Sequence, residues 1–255
     1  MAGNLGTPGA GVAQRLFAVL DCFDPDTLAL SLTEISRRSG LPVSTVRRLL
    51  RDLTDWGGLE RLSDGSYRVG IRLWEVGVLA PRQRDLREAA VPLMRDLTKA
   101  TGEITQLAVL DGYEALCVER IAATSAVPNK TQVGGRLPLY ATGVGKCLLA
   151  FAPRELLAAV VGRGLDRLTP FTMGHVGLLE NEIRRVRETR IAYSREEMTV
   201  GAASVAAPIL GPDESLIGAI GVVVHATTDL QQLATAIKMA SITIARACRP
   251  LGAAG

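Results

Sequence analysis

Within the stretch LPVSTVRRLLRD, residues 41 to 52, two small hydroxyls (Ser44, Thr45) and three guanidinium groups (Arg47, Arg48, Arg51) are interleaved with aliphatic residues. A guanidinium presents a planar fork of donors that fits two oxygens of a phosphate, or O6 and N7 of guanine. A second chemical grouping is the glycine-lysine segment YATGVGKCLLA, residues 140 to 150. Backbone N–H groups at such a turn, feeding the positive end of a helix, can receive an anion. The remaining candidates are sparse. They are the adjacent Glu196 and Glu197, the two histidines His175 and His225, and Cys147 beside the lysine.

Most catalytic readings fail on these residues. A nucleotide-binding P-loop needs Gly, four residues, Gly-Lys and then Ser or Thr. Counting back from Gly145-Lys146 places Tyr140 where the first glycine belongs, and Cys147 replaces the hydroxyl. Adjacent residues such as Glu196 and Glu197 point apart on a strand or turn, so joint acid–base work is not expected. His175 lies in a loop and His225 ends an apolar run, and both read as ordinary polar positions. Cys147 stands near a helix N-terminus, which lowers a thiol pKa, but no base partner lies nearby in sequence. Cys22, Cys117, Cys147 and Cys248 lack paired spacing, so neither a disulfide framework nor a zinc site is expected. The chain is expected to be no enzyme and to carry no cofactor or metal.

The elements that must position the arginines are legible. Gln14 to Phe23 is apolar-periodic, and DPDT ends it. SLTE, from Ser31 to Glu34, reads as a capping box opening a second helix that Gly40 closes. Pro42 opens a third helix that runs to Trp56 before Gly57-Gly58. On a wheel of about 100° per residue, Val43, Val46, Leu49, Leu50 and Leu53 fall within roughly 120°. Ser44, Thr45, Arg47, Arg48, Arg51 and Asp52 fall on the opposite arc. Two short runs around Asp64-Gly65 then read as a hairpin carrying Arg61 and Arg68. Helix, glycine turn, helix and hairpin make a winged helix-turn-helix, whose second helix enters a major groove. Thr33, on the preceding helix, joins Ser44, Thr45, Arg47, Arg48, Arg51, Arg61 and Arg68 as a candidate DNA contact. The alternative is a solvated arginine face in a protein–protein module.

Beyond Ile71 the pattern turns helical, with a break at Pro81 and a further proline at position 92. ITQLAVL and ALCVERIAA flank Asp111-Gly112 as a hairpin, and TQVGG reads as a further strand. Helices follow at Gly143–Phe151, at 153–161 and at 178–190. SVAAPIL and LIGAIGVVV are two more strands, and a long helix spans 229 to 248. Strand pairs at both ends with helices between them predict an antiparallel sheet backed by helices, an α+β fold.

The stretch from Ser31 to Gly77 resembles the DNA-binding domain of the IclR (isocitrate lyase regulator) family of bacterial transcription factors. The resemblance rests on Pro42-Val43-Ser44-Thr45, Arg48-Leu49-Leu50, and Tyr67-Arg68-Val69-Gly70, where Val69 replaces the family's leucine. It continues in the second half. Leu137 to Ala150 is similar to the family's Leu-Pro-x-x-Ala-Thr/Ser-x-x-Gly-Lys-x-x-Leu-Ala, and RIAYSREEMTVGAASVAAP is similar to its Gly-Tyr-Ala-x-x-x-Glu-Glu segment, with Ile-Ala-Tyr departing slightly. Together the matches span about residues 12 to 248.

The resemblance implies a GAF-like effector-binding domain whose ligand carboxylate meets backbone at Gly143 and Val144. Further pocket positions fall on Ser194, Ser204, Gly221 and Val223. Gly221 and Val223 stand where other members carry serines, so a bulkier or more apolar acid is expected, aromatic acids included. It also implies a homodimer, with tetramers in many relatives, acting on a double-stranded DNA operator, with repression the expected sense. The organisation expected is a disordered tail at 1–10, a winged helix-turn-helix domain at 11–70, a linker helix at 71–82, an effector domain at 83–250 and a tail at 251–255.

Composition agrees with this picture. Of 255 residues, 47% are hydrophobic, enough for packed cores, and the net charge is only +3. Residues 31–72 nonetheless hold eight arginines against five acids, so the basic character is a stripe. No apolar run reaches the ~20 residues of a membrane span, and no secretory leader is legible. A cytoplasmic protein with no membrane partner is expected. The competing reading is a small-molecule-binding enzyme or scavenger whose helix-turn-helix does not touch DNA.

Overall fold

The computed structural model describes residues 11–24, 27–129 and 131–248. The tails expected at 1–10 and 251–255 lie outside them. The chain divides into two compact units, Met1–Pro81 and Arg82–Gly255.

The first unit opens with α1 (Val12–Leu20), shifted two to three residues upstream of the sequence reading. A short strand, β1 (Ala29–Leu30), was not expected; it pairs with the later hairpin. Then come α2 (Leu32–Ser39), α3 (Val43–Trp56), β2 (Leu59–Arg61), β3 (Tyr67–Val69) and α4 (Ile71–Gly77). The three strands form an antiparallel sheet in the order β1-β3-β2. Val19, Leu30, Ile35, Val46, Leu49, Leu50, Leu53 and Leu59 make one buried cluster beneath it. Fully burying each such side chain stabilises by about 1.5–3 kcal/mol.

Local chemistry sets the ends of these helices. Ser31 Oγ accepts the Glu34 N–H, so Ser31 caps α2. The reciprocal half of the expected capping box is missing, because the Glu34 carboxylate is taken by Arg37 and Arg38 one turn on. Gly57, at φ 82°, ends α3 in the left-handed conformation, and the Gly58 N–H reaches back to Leu53 O. A Cβ at Gly70 would collide with Gly57 O, which explains why the wing must close on glycine.

The second unit carries a six-stranded antiparallel sheet. Its elements are α5 (Pro81–Thr101), β4 (Ile104–Asp111), β5 (Glu114–Ala122), β6 (Arg136–Pro138), α6 (Gly143–Phe151), α7 (Arg154–Gly162), α8 (Val176–Thr189), β7 (Ala192–Arg195), β8 (Ala202–Leu210), β9 (Leu216–His225) and α9 (Gln231–Ala247). The strand order is β6-β5-β4-β9-β8-β7. Alternation along the strands sends Leu107, Val205, Ile220 and Val222 to the face covered by α5 and α9. Ala108, Ala192, Ala206 and Ala219 go to the face covered by α6 and α8.

α5 begins at Pro81 and carries Pro92 within it. One expected strand is absent here, and one strand was not expected. TQVGG is a turn and not a strand. Gly134 there takes φ 82°, and the backbone exchanges hydrogen bonds with Cys117 at both Gly134 and Gly135 before β6 begins. β7, within the RIAYSREE segment, is a strand that periodicity did not reveal.

Candidate DNA-reading face and effector cavity

On α3, Val46, Leu49, Leu50 and Leu53 are buried, while Ser44, Arg47, Arg48 and Arg51 are exposed and Thr45 is half-buried. Val43 departs from the expected pattern. It is 44% exposed, and the first residue of α3 to join the buried cluster is Val46. Most other arginines of this unit are already engaged. Arg37 and Arg38 pair with Glu34, and Arg72 pairs with Glu75. Among the described residues no acid pairs with Arg47, Arg48 or Arg51. The α3 face therefore presents uncommitted cations and hydroxyls.

The wing arginines differ. Arg68 is bound to Glu60 across the β2–β3 ladder at 2.7 Å, and Arg61 lies over the Tyr67 ring at 5.9 Å. Arg68 would have to exchange its partner before meeting a phosphate, whereas Arg61 keeps its N–H edge free above the ring. Thr33 is exposed on the first turn of α2.

In the second unit, the glycine turn leads into α6, whose residues Gly143 to Ala150 are all buried. Thr142 caps the helix, with its Oγ1 accepting from Gly145 N–H at 3.0 Å. Gly143 N–H donates to Ser204 Oγ at 3.2 Å. Among the described residues the Val144 N–H is left without an acceptor in this first turn. Ser194 donates to Ala141 O at 3.0 Å, so the turn is tied to β7 as well as β8.

A cavity of about 30 Å³ lies against this turn, lined by Gln106, Thr142, Ser194, Met198, Ser204 and Val223 among others. The sheet register explains the grouping. Ile104, Val223, Ser204 and Ser194 follow one another across β4, β9, β8 and β7, and Gln106 stands across from Gly221 on β4 and β9. Of the expected pocket residues, Ser194, Ser204 and Val223 line the cavity. Gly143, Val144 and Gly221 stand behind it. A Cβ at Gly221 would press on Ala206 Cβ at 3.0 Å and Val144 Cγ1 at 3.1 Å, so the room expected there is taken by α6. About 30 Å³ suits one or two waters, against the roughly 150 Å³ that holds a benzene ring. A ring-sized ligand requires part of the wall to give way.

A larger hollow of about 180 Å³ lies elsewhere, beside α9, among Arg190, Pro208, Leu210, Glu214, Lys238 and Ile242. None of the expected pocket residues lines it.

Several residues escaped the sequence reading. Gln106 sits inside an apolar strand pattern and gave no signal. Lys146 was weighed only as a P-loop lysine; it is fully buried, donating to Glu197 Oε1 at 2.6 Å and to Tyr193 O at 3.0 Å. Glu196 and Glu197 do point apart: Glu196 accepts from Gly201 N–H, while Glu197 faces Lys146. Cys147 is a correction. Complete burial pushes its thiol pKa up, the opposite of what a nucleophile needs. His225 is exposed at the end of β9, 4.0 Å from Glu103, and His175 precedes α8 in solvent. Among the described residues no group of three His, Cys, Asp or Glu side chains could hold a metal ion, and no helix is long and apolar enough to cross a membrane.

Known proteins with this arrangement decide the family. Residues 12–63 match the IclR helix-turn-helix domain, and residues 79–246 match the C-terminal domain of the bacterial transcriptional regulator IclR. The chain belongs to the IclR family of bacterial transcriptional regulators. Among its relatives is the HTH-type transcriptional regulator XynR of Escherichia coli K12, 32% identical over 81% of this chain and 83% of that one. The HTH-type transcriptional repressor AllR of the same strain is 31% identical over 84% of this chain and 80% of its own. An IclR homologue from Microbacterium hydrocarbonoxydans, solved with 4-hydroxybenzoate, superposes with a TM-score of 0.90 at 30% identity, covering 94% of this chain and 99% of that one. The IclR family thus accounts for both units and for their order.

Proposed function

We propose that this IclR-family protein is a cytoplasmic, ligand-responsive repressor that binds operator DNA through α3 and senses a small organic acid in its second unit. The observation that carries the reading is the divided surface of α3. Its aliphatic side is buried, and its arginines and hydroxyls face solvent without competing acids. Arg47, Arg48 and Arg51 supply phosphate and guanine contacts. Ser44 and Thr45 allow close approach, with the exposed Val43 beside them able to meet a thymine methyl. Thr33, Arg61 and Arg68 are secondary contacts, the last after leaving Glu60.

One recognition helix offers few base contacts, so a homodimer on a near-palindromic operator is the working form. The exposed Ile71, Trp74, Val76 and Leu79 give α4 and the residues after it an apolar face suited to that pairing, and pairing of effector domains would extend it to a tetramer. Repression is supported by the AllR relative, and an acid effector by the 4-hydroxybenzoate-bound homologue. Ser194 and Ser204 line the cavity with the Val144 N–H behind them, and an acid would meet these polar groups against the apolar wall of Val223. Gly143 and Gly221 shape the turn behind them. Acid binding must favour one dimer arrangement over another in order to switch DNA affinity.

A mobility-shift assay on the DNA upstream of the protein's own gene, with and without organic acids, tests this. A shifted band that an acid weakens or strengthens supports the reading. No band in any ligand state would favour the enzyme or scavenger alternative.

A further inference from the structure

The hollow beside α9 shares no residue with the cavity at the glycine turn. It holds about 180 Å³, more than the roughly 150 Å³ that takes a benzene ring. It exists because β7 is short. β7 pairs with β8 only from Ala203 to Ala206, so among the described residues β8 beyond Ala206 has β9 alone as a ladder neighbour. Pro208 and Leu210 of that uncovered end form one wall, and the turn residues Arg190 and Glu214 stand at its rim. Arg190 and Glu214 are two of the three non-glycine residues with left-handed backbone among the described residues, at φ 58° and 61°. They are ion-paired with each other at 2.7 Å. Such conformations persist where the surrounding structure over-determines them, and they cluster at ligand clamps.

α9 supplies the opposite wall. Lys238, Ser241, Ile242, Ala245 and Arg246 fall at i, i+3, i+4, i+7 and i+8, one stripe of the helix. Ser241 turns its hydroxyl back to Lys238 O, so Ile242 and Ala245 make the middle of the stripe apolar. A cation stands at each end, about 12 Å apart along the helix axis. Their charge is not spent. Glu214 is the one acid of the lining, and Arg190 holds it. Lys238 donates to the neutral Thr189 O at 3.2 Å, and among the described residues no acid pairs with Lys238 or Arg246. Addition of a peptide strand to the open edge is disfavoured, because Pro208 has no N–H to offer it. We infer that this hollow is a second small-molecule site of the second unit, and that it takes an elongated dianion with an apolar middle. One anionic group lies toward Lys238 and the other toward Arg246, with the apolar body against Pro208, Leu210 and Ile242. The inference does not rest on acid sensing at the glycine turn, and its failure leaves that reading intact.

Two probes test this: suberate, an alkane chain with a carboxylate at each end, and octanoate, which carries one. Each is titrated calorimetrically into the full chain and into Lys238→Met, Arg246→Met and Ile242→Trp. The methionines keep the side-chain stems and remove the charge, and the tryptophan fills the hollow from an exposed position while leaving both cations. The wild type should bind suberate more tightly than octanoate, on the order of fivefold. Either methionine variant should bring suberate down to the level of octanoate, and Ile242→Trp should lose both. Unaltered melting temperatures would show that the three variants fold as the wild type does. No binding of suberate to the wild type, or suberate binding that is the same in all four proteins, would overturn the site. Sedimentation velocity covers the remaining occupant: a changed oligomeric state in Ile242→Trp with suberate binding intact would mark the hollow as an interface between copies and overturn the inference.

Discussion

Lys146 Nζ lies 2.6 Å from Glu197 Oε1, and the two side chains are 0% and 6% exposed. The pair joins α6, just past the glycine turn, to the segment whose Met198 and Thr199 line the cavity. Thr169 and Thr172 fasten the same segment from a different loop, donating to Glu196 O and Glu197 O at 2.6 Å each. The cavity wall is therefore clamped by one buried charge pair and two hydroxyls, and its mobility depends on them.

Removing one partner should strand a buried charge. Lys146→Met is expected to cost about 3–5 kcal/mol, and Lys146→Met with Glu197→Leu should recover most of that loss. Burial already raises the Glu197 pKa above its ordinary 4.5, against the pull of Lys146. A raised acid contributes stability that is complete below its unfolded-chain value and is lost as pH rises through the folded value. The Lys146→Met defect should therefore shrink as pH is lowered, because the stranded carboxyl takes up a proton. Urea unfolding at pH 5 and pH 8 measures this; an equal defect at both would show that Glu197 stays charged.

Glu34 behaves in the opposite sense. Hydrogen bonds from Arg37 and Arg38 pull its carboxyl down to about 2. A lowered acid contributes stability above its ordinary 4.5 and loses it as pH falls toward 2. Side-chain NMR titration should place its midpoint well below the other glutamates, and Arg37→Ala with Arg38→Ala should return it toward 4.5. An ordinary midpoint in the wild type would mean that Ser31 alone organises the start of α2.

Two glycines should respond oppositely to alanine. A Cβ at Gly145 would meet Thr142 Oγ1 at 2.5 Å, Pro138 O at 2.6 Å and Leu139 Cα at 2.7 Å. Gly145→Ala is therefore expected to destabilise by about 1–3 kcal/mol through overpacking. A Cβ at Gly177, on the first turn of α8, meets nothing within 4 Å, and Gly177→Ala should stabilise by up to about 1 kcal/mol. Thermal unfolding of both variants checks the contrast. A neutral Gly145→Ala would mean that the α6 turn has room it does not show.

What the sequence disclosed follows from how far apart the deciding residues lie. The α3 face was legible because Val46, Leu49, Leu50 and Leu53 repeat at helical spacing within eight residues, as do Arg47, Arg48 and Arg51 between them. Val43 was misplaced because a wheel reports direction and not where the neighbouring core begins. Lys146 meets Glu197 across 51 residues, and Gln106 stands beside Gly221 only through β-ladder register. No local period encodes either. β1 and β7 were hidden for a related reason: two and four residues are too short for alternation to declare itself.

DNA binding in the proposed function falls to the uncovered side of α3. Fluorescence anisotropy with the upstream duplex, across a series of salt concentrations, tests it in the wild type and in Arg47→Ala with Arg48→Ala. Each arginine that neutralises a phosphate contributes about 0.9 to the slope of log affinity against log salt. The double variant should bind more weakly and flatten that slope by up to about two units. Wild-type affinity with an unchanged slope would mean that DNA does not meet this side of α3.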